Sequence, residues 1–273
     1  MLIDGIQNVA KIVLETMRKK KPIEQIIWTI SGVLLFVTLW WILSLIIRDD
    51  LLLPTPYTVV RDLFVASAQK VFFASVFGTL GRAALSFAIS FGLALVLAVL
   101  AASTRVLAQI LRPLLTIQRT IPTMSIILLA IIWLRSKNSP ILIGCLISFP
   151  IMYSAFLTAI QGIDRSQIEM CRVYSVSPAL IFRDLYLPSI MPVLVDTSAT
   201  AIGLTMKVVI AGEVLAQTAG SMGRQMNIAK LNLDTSSLLA WTLLAVLISA
   251  ALEIIIRLSA RLTTIRKKVP LSV

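Results

Sequence analysis

Three ionisable residues, Asp196, Lys207 and Glu213, lie in one long apolar stretch of the sequence. An ionisable side chain at membrane depth is costly, so it usually faces the protein interior, a water-filled cavity or an opposite charge. On one helix Asp196 and Lys207 would share a face but would lie about 16 Å apart along the axis, too far to pair. The pattern therefore predicts that Lys207 faces a pore or another subunit, unless a buried carboxylate pairs with it. Glu213 is open to either a pathway or a structural role.

The remaining reactive side chains offer little catalytic chemistry. The chain has no histidine, which excludes histidine metal sites, catalytic triads and histidine proton relays. Its two cysteines, Cys145 and Cys171, give no disulfide framework. Glu253 and Arg257 are spaced i and i+4, which predicts a structural ion pair. No nucleophile-base pair and no G-x-x-x-x-G-K-[ST] phosphate loop is present, so we expect neither an intramembrane enzyme, nor ATP hydrolysis, nor a cofactor bound by this chain.

The composition indicates that lipid surrounds most of the chain. It is 58% hydrophobic and 14% charged, with a mean hydropathy of +0.93 over 273 residues. Apolar stretches of about the length needed to cross a bilayer lie near 26–47, 76–103, 120–134, 140–162, 189–216 and 237–260. The third is short and carries Pro122. In the second, small residues at a four-residue step, Ala84, Ala88 and Gly92, predict close approach of another helix. The predicted fold is an all-α membrane bundle of about six spans.

The formal net charge of +12 is concentrated beside these spans, which favours a membrane protein over a nucleic-acid-binding one. Lysines 19–21 precede the first span and basic residues 266–268 follow the last, so both termini are predicted to be cytoplasmic. The predicted parts are an interfacial N-terminal helix (1–25), a membrane domain (26–262) and a basic cytoplasmic tail (263–273). The turn at 135–139 and the loop at 217–236 would then lie outside the cell.

The segment 164–188, between the fourth and fifth spans, has the richest pattern. Its sequence is DRSQIEMCRVYSVSPALIFRDLYLP, in which charged and apolar residues alternate as in short amphipathic helices beneath a membrane. Pro178 should divide it into two helices. Such a protruding elbow suits a groove on a cytosolic partner, with apolar residues such as Ile168 and Val173 filling the groove.

These residues resemble the EAA motif of binding-protein-dependent ABC importer permeases. Glu169 occupies the glutamate position, Ser175 the glycine position, Leu185 the isoleucine position, and Leu187 with Pro188 the terminal Leu-Pro. Met170 and Cys171 replace the two alanines, so the match depends on spacing. The resemblance implies that the elbow couples to an ATPase, and the residues assigned to that role are Glu169, Arg172, Ser175, Pro178, Leu187 and Pro188.

Further matches, in order along residues 25–265, are similar to the sulfonate, taurine and nitrate importer permeases. They are Leu52-Leu53-Pro54-Thr55-Pro56, Thr79-Leu80-Gly81-Arg82, Arg119-Thr120-Ile121-Pro122 and Ala211-Gly212-Glu213. The resemblance implies a type I importer bundle in the bacterial inner membrane, with a translocation pathway near Arg119, Lys207 and Glu213.

The resemblance also implies partners: two cytosolic ATPases that bind the ATP, a second permease subunit, identical or homologous, and an extracytoplasmic substrate-binding protein. A secondary transporter or channel is the alternative, although only the fifth span carries several charges. The substrate stays open. Lys207 and Arg119 would suit small anions such as sulfonates, whereas permeases of similar pattern carry pyrimidines and other compounds.

Overall fold

The computed structural model describes residues 22–265, and every regular element within that range is helical. The helices are α1 (Pro22–Ile47), α2 (Pro56–Ser67), α3 (Lys70–Ser103), α4 (Arg105–Thr120), α5 (Thr123–Gln161), α6 (Arg165–Val173), α7 (Pro178–Ile181), a π-helix (Phe182–Tyr186), α8 (Leu187–Ala216), α9 (Met222–Leu231) and α10 (Thr235–Ile265). The predicted all-α fold is confirmed. The predicted N-terminal helix and basic tail fall almost wholly outside the described residues.

The chain divides into two compact units, and their boundary lies within α2, after Arg61. In the first unit, α1 is apolar and exposes nearly every side chain from Ile27 onward, as a helix surrounded by lipid would. The loop after it folds back, because Trp40 Nε1 donates to the Pro54 carbonyl at 3.1 Å and Ser44 Oγ donates to that of Leu53 at 3.0 Å. This unit therefore has its own local order.

In the second unit, α5 reverses direction at Arg135, whose φ of 57° lies in the left-handed region. A straight helix would hold Ala130 and Ile143 about 20 Å apart, yet both belong to one buried apolar cluster. The Arg119 guanidinium, just before α5, likewise reaches the Pro150 carbonyl at 2.7 Å. The first arm of α5 is therefore antiparallel to the second.

Among residues 22–265, five helices are long and apolar enough to cross a membrane, and α5 supplies two arms. The prediction of about six spans is thus confirmed in outline. The short third stretch is the first arm, about 18 Å long. The predicted turn at 135–139 was too long, because the break is confined to Arg135 and the helix resumes at Ser136.

Two prolines inside α5 leave backbone carbonyls without helical partners, and side chains from elsewhere fill the gaps. Pro140 has no N–H for the Ser136 carbonyl, which instead accepts from Thr218 Oγ1 at 2.7 Å. Pro150 leaves the Leu146 carbonyl free in the same way, and the Gln118 amide donates to it. Because lipid offers no hydrogen bonds, such replacements are required for proline to be tolerated in a spanning helix.

The core of the second unit forms where α3, α5 and α8 meet. The buried face of α3 consists of small residues at helical spacing, namely Ser75, Thr79, Ala83, Ser86, Ser90, Ala94, Ala98 and Ala101. The prediction that small residues of this helix allow another helix to approach closely is thus confirmed, but the predicted face of α3 was wrong. Within the described chain Ala84, Ala88 and Gly92 are exposed, and the adjacent residues make the close contacts.

Candidate functional site

The coupling segment predicted at 164–188 begins with a well-capped short helix. The Asp164 carboxylate caps α6 by accepting from the Ser166 N–H at 2.9 Å, and this bond holds the pKa of the Asp164 carboxyl below its ordinary value. At the other end the Val176 N–H donates to the Cys171 carbonyl at 2.9 Å. These bonds fix both ends of the elbow helix.

Ser175 adopts the conformation that the motif's glycine would favour. Its φ is 52°, in the left-handed region, and its N–H donates to the Arg172 carbonyl at 2.9 Å. Together with the bond from Val176 to Cys171, this is a complete Schellman motif. The tight turn is therefore preserved with serine at the glycine position, at the conformational cost of a side chain in that region.

The two faces of α6 differ in what they contact. Ile168 is half-buried and packs against an internal cluster with Leu185, so it anchors the elbow to the bundle. The sequence-based assignment of Ile168 to the partner-facing surface is thus wrong. The outward face carries exposed Glu169, Met170, Arg172, Val173 and Tyr174, with Val173 81% exposed. We call these five residues the elbow face.

Beyond the turn, Pro178 starts α7 at a position where proline is tolerated, as the sequence predicts. The second half of the segment is not a separate interfacial helix. The chain instead stays helical from Pro178 to Ala216. The wide π-turn before Leu187 accommodates Pro188, which lacks an N–H and would clash in a regular helix. The elbow is thus joined to the central helix α8 by continuous helix.

Glu213, a candidate pathway residue, is fully buried in a closed network. Arg82 Nε donates to its Oε1 at 2.7 Å, and Thr79 Oγ1 and the Gly223 N–H donate to its Oε2 at 2.8 and 3.2 Å. Arg82 also donates to the Gly220 carbonyl at 2.9 Å. The network ties α3, α8 and the start of α9 together. This geometry gives Glu213 a structural role, and its place in a pathway stays a prediction.

The sequence supplied Arg82 and Glu213 in two separate motif matches but gave no reason to pair them. Their separation of 131 residues hides the contact. Comparing the charged residues of the apolar stretches would have predicted this pair. In the sequence, Arg82 is the one charged residue of the apolar stretch 76–103, and Glu213 is an acidic residue of the stretch 189–216 near the same end of the bundle.

Arg119 lies at the end of α4, where its guanidinium donates to the Pro150 carbonyl and the Ser154 hydroxyl. It is therefore held against the second arm of α5. These bonds engage one of its nitrogens with neutral acceptors, so its charge is not cancelled by them. Its predicted pathway role is not tested by this arrangement.

Lys207 lies on an exposed face of α8 with Thr200 and Ala211. It forms none of the ion pairs found among the described residues. Its predicted pathway role stays a prediction. Asp196, on the same face, is different because it pairs with Arg257 of α10, which also forms the predicted bond to Glu253 at 3.0 Å. The pair of Arg257 with Glu253 was predicted from the i,i+4 spacing, whereas its pair with Asp196 was not.

A bundle of apolar spans with an exposed elbow at one end defines a polytopic membrane protein with a short amphipathic segment outside its spans. The model of the family described as "Binding-protein-dependent transport system inner membrane component" matches residues 92–265. The chain belongs to this family. It is the membrane-spanning translocation subunit of an ATP-driven importer, as the sequence motifs imply, and the alternative of a secondary transporter or channel is set aside.

Curated relatives agree with this assignment, and solved structures agree with the fold. A Bacillus subtilis (strain 168) protein named for aliphatic sulfonate transport, the permease SsuC, is 25% identical over 225 residues, 81% of each chain. A Brucella melitensis ABC transporter permease is 26% identical over 196 residues, 71% of this chain and 78% of the relative. The alginate-importing bacterial ABC transporter has a chain of similar fold (TM-score 0.60, 16% identity, covering 89% of this chain and 96% of that one). The inward-facing MetNI methionine transporter gives 0.53 at 20% identity, covering 68% and 95%.

Proposed function

We propose that the elbow face docks a cytosolic ATPase and transmits its motion to the translocation pathway. The observation that carries the proposal is the exposure of apolar side chains outside the spans: Met170, Val173 and Tyr174 are 56%, 81% and 76% exposed. Apolar residues on a short polar segment, with charged Glu169 and Arg172 beside them, suit a groove with a polar rim. Glu169 and Arg172 would fix the orientation.

The route of transmission follows from two features of the elbow. Ile168 of α6 and Leu185 of the long helix both pack against the same buried apolar cluster, so a shift of α6 would disturb the packing at the base of that helix. The helix then continues unbroken to α8, which carries Lys207 on its exposed face. ATP-driven closure of two docked ATPases would therefore tilt α8 and alternate access to the pathway. ATP binds to those partners, and this chain binds no cofactor.

The proposed assembly contains a second permease subunit and an extracytoplasmic binding protein that delivers the substrate. Basic residues support the orientation. The end of α3 and the start of the elbow share one buried cluster, through Ala101 and Ile163, so α4 begins at the elbow end of the bundle. Arg112 of α4 and Arg165 and Arg172 of the elbow then support a cytoplasmic position for that end by the positive-inside rule. Both termini are then cytoplasmic, and the Arg135 turn and α9 lie outside.

Three variants test the docking proposal. Glu169→Lys reverses a charge on the elbow face, and Val173→Asp places a charge where the groove should exclude water. Leu231→Asp is the matched control, since Leu231 is 70% exposed at the opposite end of the bundle. The permease would be expressed with its ATPase and binding protein. The readouts are ATPase recovered per permease and ATP hydrolysis stimulated by the loaded binding protein.

We expect Glu169→Lys and Val173→Asp to weaken ATPase recovery by about tenfold or more, equivalent to about 1.4 kcal/mol of binding free energy, while Leu231→Asp retains it. Membrane insertion should be unchanged, because both elbow residues lie outside the spans. Unchanged recovery and hydrolysis in both elbow variants would place the docking surface elsewhere.

A further inference from the structure

The exposed face of α8 differs from every surface that lipid would cover. Between Val193 and Leu215 this helix exposes no large apolar side chain, and its exposed residues there include Asp196, Thr200 and Lys207. By contrast α10 exposes large apolar residues, Val246, Leu247, Ile254, Ile255 and Leu258, along its length. Lipid therefore suits α10, and a polar surrounding suits the face of α8.

Lys207 lies close to the middle of the membrane. It is nine residues from Ala216, the last residue of α8, which is about 14 Å along the axis. Half the hydrocarbon thickness of a bilayer is about 15 Å. Asp196 lies about 16 Å further along the helix, so its pair with Arg257 belongs near the other boundary. Among the described residues of this face, Lys207 is thus the charged residue at mid-depth.

Within the part of the chain that the structure describes, every carboxylate in the five apolar spans pairs with an arginine. Glu213 pairs with Arg82, and Asp196 and Glu253 both pair with Arg257. The fourth, Asp184, pairs with its neighbour Arg183. The Arg257 cluster holds two carboxylates and one arginine and so keeps one formal negative charge, but Asp196 lies about 16 Å along α8 from Lys207, too far to pair with it. Among the described residues, no carboxylate of the spans therefore pairs with Lys207.

We propose that Lys207 gives the translocation pathway a positive mid-membrane site that admits and transiently coordinates small anionic solutes. The inference rests on the proposed function, because it requires that α8 line the pathway. A cation in a water-filled path with low-dielectric walls concentrates anions and repels cations. Thr200 and Gly203 lie on the same face, and an added Cβ at Gly203 would meet no atom within 4 Å, so no other part of the described chain covers the surface beside Lys207.

The test uses the rate of thiol modification in membrane vesicles, without nucleotide. Ala211→Cys places a thiol on the same face, one turn from Lys207, in a background of Cys145→Ala and Cys171→Ala. The probes are methanethiosulfonate reagents of similar size, one carrying a sulfonate and one a trimethylammonium group. Their rate ratio is normalised to that of a free thiol in solution. Leu247→Cys on α10, 53% exposed, is the lipid-facing control.

We expect Ala211→Cys to react about tenfold or more faster with the anionic reagent after normalisation, and Leu247→Cys to react with neither. Adding Lys207→Met, or Lys207→Gln if the first variant does not insert, should remove the preference, and Lys207→Arg should keep it. The proposal is overturned if Lys207→Met or Lys207→Gln leaves the normalised rate ratio unchanged. That result is expected, for example, where a carboxylate of a partner neutralises Lys207. A thiol at 211 as unreactive as the control also overturns the proposal. Failed ATPase docking would instead appear in ATPase recovery and would leave these rates unchanged.

Discussion

Removing Arg82 should be among the most damaging single substitutions in this chain. Glu213 is fully buried and its carboxylate accepts bonds from Arg82, Thr79 and the Gly223 N–H. Arg82→Met leaves that carboxylate buried with only two neutral donors. Removing one partner of a buried ion pair typically lowers the free energy of unfolding by about 3–5 kcal/mol. For two residues in direct contact, the effect of a double substitution differs from the sum of the single effects by about 0.5–3 kcal/mol. Adding Glu213→Gln to Arg82→Met removes the stranded charge and should recover at least about 1 kcal/mol.

The assay is thermal unfolding of the purified permease in detergent, followed by loss of the monodisperse peak. For a chain of this size, each kcal/mol of lost unfolding free energy lowers the midpoint temperature by about 2–4 °C. Arg82→Met should therefore lower the midpoint by about 6–20 °C, and the double variant should regain several degrees. Arg183→Met is the matched control. It breaks an exposed pair with Asp184 and should move the midpoint little. Strictly additive losses in the double variant would refute the account of the Glu213 network.

Three further outcomes follow from local geometry. Gly223→Ala should lower the unfolding midpoint, because the added Cβ would lie 2.5 Å from Glu213 Cβ. Gly92→Ala is the control and should leave the midpoint unchanged or raise it, because its added Cβ would meet no atom within 4 Å. Ser175→Gly should stabilise the elbow turn by about 1 kcal/mol, measured as slower amide exchange there, and faster exchange would contradict the Schellman assignment. The pKa of the Asp164 carboxyl is lower in the folded protein than in the unfolded chain, so its bond to the Ser166 N–H is intact above about pH 4. The bond is lost as the pH falls through the pKa of the folded state. Exchange protection at 165–168 should then fall in acid for the native chain but not for Asp164→Asn.

Much of the fold was predictable because a membrane restricts which segments of a chain can span it. A spanning segment must be apolar and must satisfy its own backbone, so long apolar stretches identify helices directly. The elbow was predictable for the opposite reason, since amphipathic alternation outside the spans is conspicuous. The side chains that replace the proline-blocked bonds, Gln118 and Thr218, were not predictable, because each acts on a carbonyl far away in sequence.

The facing of individual residues was the weakest part of the sequence-based reasoning. Ile168 and Val173 fit the same amphipathic pattern, yet one anchors the elbow to the bundle and the other points away. Periodicity identifies an apolar stripe but does not say which neighbour covers it. The same limit applies to Ala84 and Ala88, where two adjacent stripes of small residues differ by one position.

Photocrosslinking from the elbow face tests the central claim most directly. Val173 is replaced by p-benzoylphenylalanine in the full chain, expressed with its importer partners, and Leu231 is replaced likewise as the control of similar exposure. The captured protein is identified by peptide sequencing and by labelling with azido-ATP. We expect the probe at position 173 to capture an ATP-binding subunit carrying a G-x-x-x-x-G-K-[ST] loop, and the probe at position 231 not to capture it. Capture of that subunit from Leu231, or its absence from Val173 in a complex that still hydrolyses ATP, would contradict the account.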